Sequence, residues 1–303
     1  MNQKISDEIQ IISHEFTSLN LRCEADLYLP NSISNPPILI MAHGFGAPRN
    51  LRLPAYAEFF ARHGIAVFLF DYRCFGTSEG QPRNWVSPER HIQDWQNAIA
   101  YVKGLSQVNT NKLALWGTSY SGGHVLVTAS KEKGLAGVIA QVPFVDAGSS
   151  VRRFKFSFII KGTLHAIWDK IKSFVGAKPH LIKIVGLPSE FAALNTPDAY
   201  DGVMKLVPPN FNFENFCPGR VLLELVLYKP MKEAGKIICP TMIMGSRIDT
   251  LIDIKAVKKT AEKIPQCQYF EYECGHFDIY LGNLFEDSIN KQLKFLKTCF
   301  ERD

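Results

Sequence analysis

The chain has 303 residues, of which 46% are hydrophobic and 21% charged, with a formal net charge of +5. This length suits one large α/β domain with an insertion, or two small domains. No apolar run approaches the roughly 20 residues that a membrane-spanning helix needs. The small positive charge is not gathered into long Lys/Arg runs, which argues against a nucleic-acid-binding protein.

The N-terminus and the cysteines indicate the compartment. Residues 1–10 contain three charged residues and no apolar segment, so we predict no secretory signal. The seven cysteines are scattered, odd in number and without a Cys-x-x-Cys pair: Cys23, Cys74, Cys217, Cys239, Cys267, Cys274 and Cys299. This pattern is typical of reduced thiols in a cytoplasmic protein rather than of disulfides or a zinc site. We expect a cytoplasmic location and no metal or cofactor.

The first half of the chain alternates strands with helices. Two strands of alternating polarity come first, and continuous apolar runs then predict buried strands. The predicted strands are 10–17, 21–29, 38–42, 65–70, 112–116 and 138–142, and the predicted helices are 55–63, 88–105 and 124–130. This alternation favours a mostly parallel sheet with helices on both faces.

The pattern breaks after Asp146 and resumes at Thr241. Residues 147–230 are predicted to be helical or irregular, whereas the C-terminal segment again alternates, with strands at 241–245 and 268–272 and helices at 254–263 and 287–300. We therefore predict a core domain made of 1–146 and 231–303. Residues 147–230 are predicted to form a helical cap over the carboxyl edge of the sheet, where ligands bind in open α/β folds.

A sharp strand-to-helix turn is predicted around Ser119. The strand Leu113–Trp116 leads into Gly-Thr-Ser-Tyr-Ser, and a helix follows. This is the sequence form of a nucleophile elbow, which requires small residues two positions before and after the nucleophile. Gly117 and Ser121 meet that requirement, although glycine is usual at the second position. Ser119 is the predicted nucleophile, and Ser121, about half a turn into the helix, is the alternative.

A serine nucleophile needs a base and a carboxylate that orients the base. His276 is the predicted base, because it lies on a loop after the last strand and beside Gly275. The alternative is that His276 is an ordinary histidine on a surface loop. Among the other seven histidines, we expect His14, His63 and His91 to lie on strand or helix surfaces, with His91 on a helix.

Asp249 is the predicted acid of this group, since it follows the strand at 241–245 and so lies at the same sheet edge as the elbow. A helix N-cap is the competing role for an aspartate. Asp253 is better placed to cap the helix at 254, which leaves Asp249 available. Asp146, at the end of the strand at 138–142, is the alternative acid.

Two backbone amides are expected to form an oxyanion hole. The first belongs to Tyr120, directly after the nucleophile. The second belongs to Phe45, in the glycine-flanked turn His43-Gly-Phe-Gly46 after a buried strand. The loop 71–80 at the same edge is expected to be structural, with Asp71 and Arg73 pairing or binding backbone.

The chain resembles the α/β-hydrolase superfamily in four features taken together. These are the turn at 43–46, the loop 71–80, the elbow at Ser119, and the C-terminal segments that carry Asp249 and His276. Their sequence motifs are most similar to those of the serine branch that includes dienelactone-hydrolase-like and X-Pro dipeptidyl-peptidase-like esterases. The resemblance implies an α/β-hydrolase fold, a triad of Ser119, Asp249 and His276, and hydrolysis through an acyl-enzyme. Position 119 holds neither the cysteine of dienelactone hydrolases proper nor the aspartate of haloalkane dehalogenases.

The function expected from the sequence is cleavage of a carboxylic ester or thioester of a small molecule. The alternatives are an amidase or peptidase with the same triad, or a non-catalytic ligand-binding protein of this fold. Residues 147–230 hold 11 Lys/Arg and 6 Asp/Glu interleaved with aromatic residues. This segment is either a lid with an apolar face over the site, or a lid that favours an anionic or amphiphilic acyl substrate or touches a membrane surface. The oligomeric state stays open.

Overall fold

The computed structural model of the chain describes residues 8–152 and 156–302. Predictions about residues 1–7 and 153–155, which include part of the basic segment of the insertion, lie outside the described residues. Eleven strands are found within the described ranges: β1 (Ile9–Ser18), β2 (Leu21–Pro30), β3 (Pro37–Ala42), β4 (Ala66–Phe70), β5 (Asn109–Thr118), β6 (Gly137–Gln141), β7 (Leu181–Val185), β8 (Ala192–Leu194), β9 (Cys217–Pro218), β10 (Thr241–Ser246) and β11 (Cys267–Tyr272).

Nine α-helices are found in the same ranges: α1 (Leu53–Arg62), α2 (Pro88–Val102), α3 (Tyr120–Ala129), α4 (Ala147–Val151), α5 (Phe156–Phe174), α6 (Ala199–Leu206), α7 (Val221–Leu227), α8 (Ile254–Ala261) and α9 (Gly282–Phe300). No described helix is long and apolar enough to cross a membrane.

Eight strands form one sheet in the order β1-β2-β4-β3-β5-β6-β10-β11. The pairs from β4 to β11 are parallel, and β2 is antiparallel to both β1 and β4. The sheet is therefore mostly parallel with helices around it, as the sequence predicts for an α/β hydrolase. Parallel strands direct their carboxyl ends to one edge, and β3, β5, β6, β10 and β11 all end there.

Both faces of the sheet are covered, which explains the continuous apolar runs. Along β3, Ile38 and Ile40 join one core cluster, while Leu39 and Met41 join the other. The first core packs against α2, α3 and α8, and the second against α1 and α9. Because successive side chains of a strand point to opposite faces, a two-sided core requires an apolar residue at every position.

The segment between β6 and β10 differs in part from its helical prediction. It contains four helices, α4 to α7, and a small three-stranded sheet in the order β8-β7-β9. In β7 the exposed Leu181 and Lys183 alternate with the buried Ile182 and Ile184. This alternation with a period of two residues is typical of a half-buried strand. It spans only five residues, which is too short to distinguish it within a segment predicted to be helical or irregular.

The loop after β4 is anchored by two separate ion pairs rather than by a pair between Asp71 and Arg73. Asp71 accepts from the backbone N–H and the guanidinium of Arg49. Arg73 donates to Asp94 on α2, and both side chains are buried. These pairs fix the loop beside the carboxyl edge of the sheet, in the structural role that the sequence suggests.

We predict that Asp94→Ala destabilises the fold strongly, because it leaves the Arg73 guanidinium buried without its carboxylate. The expected loss is about 3–5 kcal/mol in the free energy of unfolding, measured by urea denaturation. Glu58→Ala is the matched control, since Glu58 pairs with Arg62 on the exposed surface of α1, and it should cost less than about 1 kcal/mol. Equal losses for both variants would contradict this role for the buried pair.

Candidate active site

Ser119 lies at a strained turn between β5 and α3. Its backbone has φ 53° and ψ −119°, a conformation that non-glycine residues rarely adopt. The turn is held on both sides, because the N–H of Ser119 donates to the carbonyl of Gln141 at 2.9 Å and its carbonyl accepts from Phe144 N–H at 2.8 Å. A Cβ at Gly117 would approach the carbonyl oxygen of Ser121 to 2.3 Å. Glycine at 117 is therefore required by backbone contact across the turn.

The three residues predicted to act together form one hydrogen-bonded chain. Ser119 Oγ lies 3.0 Å from His276 Nε2, and His276 Nδ1 lies 2.6 Å from Asp249 Oδ2. They come from the ends of β5, β10 and β11, which meet at the carboxyl edge of the sheet. The imidazole thus lies between a hydroxyl and a carboxylate.

Asp249 is itself held in place by backbone. Its Oδ1 accepts hydrogen bonds from the N–H groups of Leu251 and Ile252 at 2.7 and 2.8 Å, which leaves Oδ2 directed at His276. Both Asp249 and His276 are buried. The aspartate therefore has one oxygen for its own loop and one for the imidazole, which restricts the imidazole to a single orientation.

The alternative residues have other partners. Ser121 Oγ is buried and lies 2.8 Å from the hydroxyl of Tyr72. Asp146 caps α4, accepting from the N–H groups of Gly148 and Ser149. Asp253 caps α8 through Lys255 N–H. Neither the second serine nor the alternative acid lies in the hydrogen-bonded chain that contains His276.

The two predicted oxyanion donors border the same space as Ser119. A Cβ at Gly44 would lie 3.1 Å from Ser119 Cβ and 3.6 Å from its Oγ, so the turn before Phe45 passes directly beside the serine. The rings of Phe45 and Tyr120 make an edge contact at 5.6 Å, which ties the two segments together. Within the described residues, neither backbone N–H donates to a protein acceptor.

Ser119 and His276 open into an apolar cavity of about 150 Å³. Core residues supply one wall, and the segment 147–230 supplies the other, including Ile184, Ala193 and Phe213. No Lys, Arg, Asp or Glu is among the described lining residues. Among the aromatic residues of the segment 147–230, Phe213 lines this cavity and Tyr228 is buried nearby against Tyr120.

His91 is buried, whereas the sequence interpretation placed it on a helix surface. Its Nδ1 lies 3.2 Å from His124 Nε2, its ring stacks on Tyr72 at 3.9 Å, and His124 Nδ1 lies 2.7 Å from the Tyr228 hydroxyl. The missed signal is the spacing of His91, Asp94, Trp95 and Ala98, which places all four on the inner face of α2.

Burial keeps these histidines neutral. Loss of hydration lowers the pKa of His124 to about 3 and that of His43 to about 4, and it also lowers the pKa of His91. In the unfolded chain each imidazole titrates near 6.5. The unfolded state therefore binds more protons below about pH 6.5, so the free energy of unfolding falls as the pH falls through this range.

We predict that His124→Gln makes stability less dependent on pH. Removing one buried imidazole should reduce the slope of the unfolding free energy between pH 6 and 5 by about 1 kcal/mol per pH unit, even if the variant is less stable at pH 7.5. The measurement is urea denaturation at several pH values, with His63→Gln as the control, because His63 is partly exposed at the C-cap of α1. Identical slopes for wild type and His124→Gln would show that His124 is not held neutral by the fold.

Comparison with known proteins identifies relatives of this chain. The sequence model of the X-Pro dipeptidyl-peptidase (S15) family matches residues 20–156, a range that includes Ser119. The quorum-quenching protein AidA of Acinetobacter baumannii is 38% identical, covering 93% of both chains. The thiohydrolase aneE of Aspergillus aculeatus is 25% identical, covering 93% of this chain and 92% of its own.

A solved structure shares the fold. The α/β hydrolase GrgF from Penicillium superposes with a TM-score of 0.80 at 24% identity, covering 97% of this chain and all of its own. The sheet order and the turn at Ser119 are those of an α/β hydrolase, and the similarity to AidA extends over nearly the whole chain. The chain belongs to the α/β-hydrolase superfamily, within the family that contains AidA.

Proposed function

We propose that this protein is a hydrolase that cleaves a carboxylic ester or thioester of an apolar acyl group, with Ser119 as nucleophile, His276 as base and Asp249 as the orienting acid. The observation that carries the proposal is the hydrogen-bonded chain of these three side chains at the wall of an apolar cavity. A serine hydroxyl beside an imidazole whose other ring nitrogen faces a buried carboxylate is the arrangement that acyl transfer requires.

The proposed reaction has two halves. His276 Nε2 takes the proton of Ser119 Oγ as the oxygen attacks the acyl carbon, while Asp249 stabilises the imidazolium. The N–H groups of Phe45 and Tyr120 bind the oxyanion, and collapse expels the alcohol or thiol, which receives the proton from His276. Water, deprotonated by His276, then attacks the acyl-enzyme and releases the carboxylic acid and Ser119.

The cavity favours an apolar acyl chain. Its lining is aliphatic and aromatic apart from the catalytic group and a few buried polar residues, and it offers no cation to a carboxylate or phosphate on the substrate. The prediction of an anionic acyl group therefore receives no support from the described lining, whereas an amphiphilic substrate with its polar part outside the cavity remains compatible. The thiohydrolase name of aneE supports including thioesters among the substrates.

We further propose that residues 147–230 act as the cap of this site. The segment lines the cavity with residues of α4, β7, β8, α6 and α7, and so it helps to enclose the space beside Ser119. An amide substrate is the second candidate, because the matching family model is that of a dipeptidyl-peptidase. A panel of short- and medium-chain esters, acyl thioesters and aminoacyl amides separates the candidates by kcat/KM.

Ser119→Ala is expected to lower kcat for p-nitrophenyl ester hydrolysis by at least about 10³-fold, because the nucleophile is lost. Ser121→Ala is the matched control: it removes a neighbouring hydroxyl that lies outside the hydrogen-bonded chain, and it should keep kcat within about tenfold of wild type. Circular dichroism checks both folds. Undiminished turnover by Ser119→Ala, or loss of turnover by Ser121→Ala alone, would rule out the proposed nucleophile.

Filling the cavity is expected to shorten the preferred acyl chain. Ala193→Leu adds about three methylene-sized groups to the wall, so kcat/KM for an octanoyl ester should fall by about tenfold or more while that for the acetyl ester changes little. Ile238→Leu, on the exposed loop before β10, is the control. A uniform loss for both chain lengths would argue that the acyl group binds elsewhere.

A further inference from the structure

Helix α5, in the segment 147–230, presents an apolar face to solvent. Eight large apolar residues on and just beyond it remain between 43% and 79% exposed: Phe156, Ile160, Leu164, Ile167, Trp168, Ile171, Phe174 and Val175. At 100° per residue they occupy an arc of roughly 120° on one side of the helix. An unpartnered apolar face of this length is unusual on a monomer, and it lies outside the catalytic group described above.

The orientation of α5 is fixed by its opposite face. Gly162, Ala166 and Asp169 are the buried residues of the helix. Asp169 accepts from the N–H and the guanidinium of Arg220 and from His180 N–H. The pairing with Arg220 holds the pKa of Asp169 below its usual value. Rolling the helix to cover its apolar face would break this buried ion pair, so the face stays outward.

The spacing of the face is that of a helix that packs on another helix. Ile160, Leu164, Ile167, Ile171 and Phe174 follow one another at steps of four, three, four and three residues. This is the a/d seam of a left-handed helix pair, over two heptads. Trp168 and Val175 flank the seam on one side, which widens the apolar contact.

The exposed area matches what a dimer buries. With about 100 Å² exposed for each of the eight residues, the face offers on the order of 800 Å², the area that one partner contributes to a standard interface. Two of the three lysines of α5 already lie against aromatic rings of this chain: Lys161 over Phe191 at 5.1 Å and Lys170 over Phe174 at 5.5 Å. They are less available to anionic lipid headgroups than freely extended lysines would be.

We propose that α5 is the contact helix of a two-fold symmetric homodimer, in which the α5 seams of two copies pack on each other. In an isologous interface each apolar residue is buried in both copies, so one complementary face serves both partners. The same face in a monomer would leave the cap with a large solvent-exposed apolar surface. The dimer would bring the two caps together and leave each catalytic group within its own chain.

The test is the mass of the full chain in solution, measured by light scattering after size exclusion at micromolar concentration. We expect wild type at twice the chain mass of 34.1 kDa. Ile167→Glu places a carboxylate in each half of the seam. It should raise the dimer Kd at least about thirtyfold, so that the mass falls to that of the monomer at a concentration at least about thirtyfold higher than for wild type in a dilution series. Ile171→Lys, of opposite charge on the same face, should do the same.

Ile238→Glu is the matched control, because Ile238 is an exposed isoleucine outside the insertion, and this variant should stay dimeric. Thermal unfolding checks that every variant is folded. A monomeric wild type would overturn the proposal, and co-sedimentation of that monomer with vesicles of equal parts phosphatidylcholine and phosphatidylserine would assign the face to a membrane surface instead. A dimer that survives both α5 substitutions would also overturn it.

Discussion

The candidate site depends on the backbone of one residue, Ser119. Its positive φ lifts the hydroxyl out of the sheet, and this conformation persists because the surroundings hold it from both sides. The carbonyl of Gln141 at the end of β6 accepts from the N–H of Ser119. The N–H of Phe144 in the following loop donates to the carbonyl of Ser119. Gly117 and Gly44 leave the space that the turn occupies, and any side chain at 117 would collide with the carbonyl of Ser121.

From this turn the arrangement of the other groups follows. The strands β5, β10 and β11 are parallel and end at one edge, so residues far apart in sequence converge there. The amides after Asp249 hold its carboxylate, the carboxylate holds His276, and the imidazole reaches the serine. Behind the elbow, His91 and His124 pack among aromatic rings, and burial lowers the pKa of both. These neutral histidines form part of the support beneath α3 rather than a second titrating site.

The sequence predicted the order of core elements well, because buried parallel strands leave continuous apolar runs and the elbow constrains residues at fixed spacing. The choice of Ser119 over Ser121 depends on the geometry of the turn, and Asp249 is preferred as the acid because Asp253 suits the N-cap of α8. In the structure Ser119 and Asp249 lie within hydrogen-bond distance of His276. Residues 147–230 were harder. Strand β7 is only five residues long, and its pairing with β8 and β9 is set by tertiary contacts that leave little local signal.

His91 shows another limit of sequence interpretation. A histidine among charged residues at the start of α2 suggests a solvated surface, yet its burial is decided by Tyr72 and His124, which come from other elements. The cavity is likewise formed by residues that come from several separate elements. Its apolar wall combines short contributions from α4, β7, β8, α6 and α7, and no single stretch of sequence carries that pattern.

Covalent labelling shows whether Ser119 is an activated nucleophile. A fluorophosphonate reacts with an activated serine beside an oxyanion site, and tandem mass spectrometry of the digested protein identifies the modified residue. We expect a single adduct on Ser119 that disappears when His276 is replaced by alanine. An unlabelled wild-type protein, or an adduct on Ser121 in its place, would contradict it.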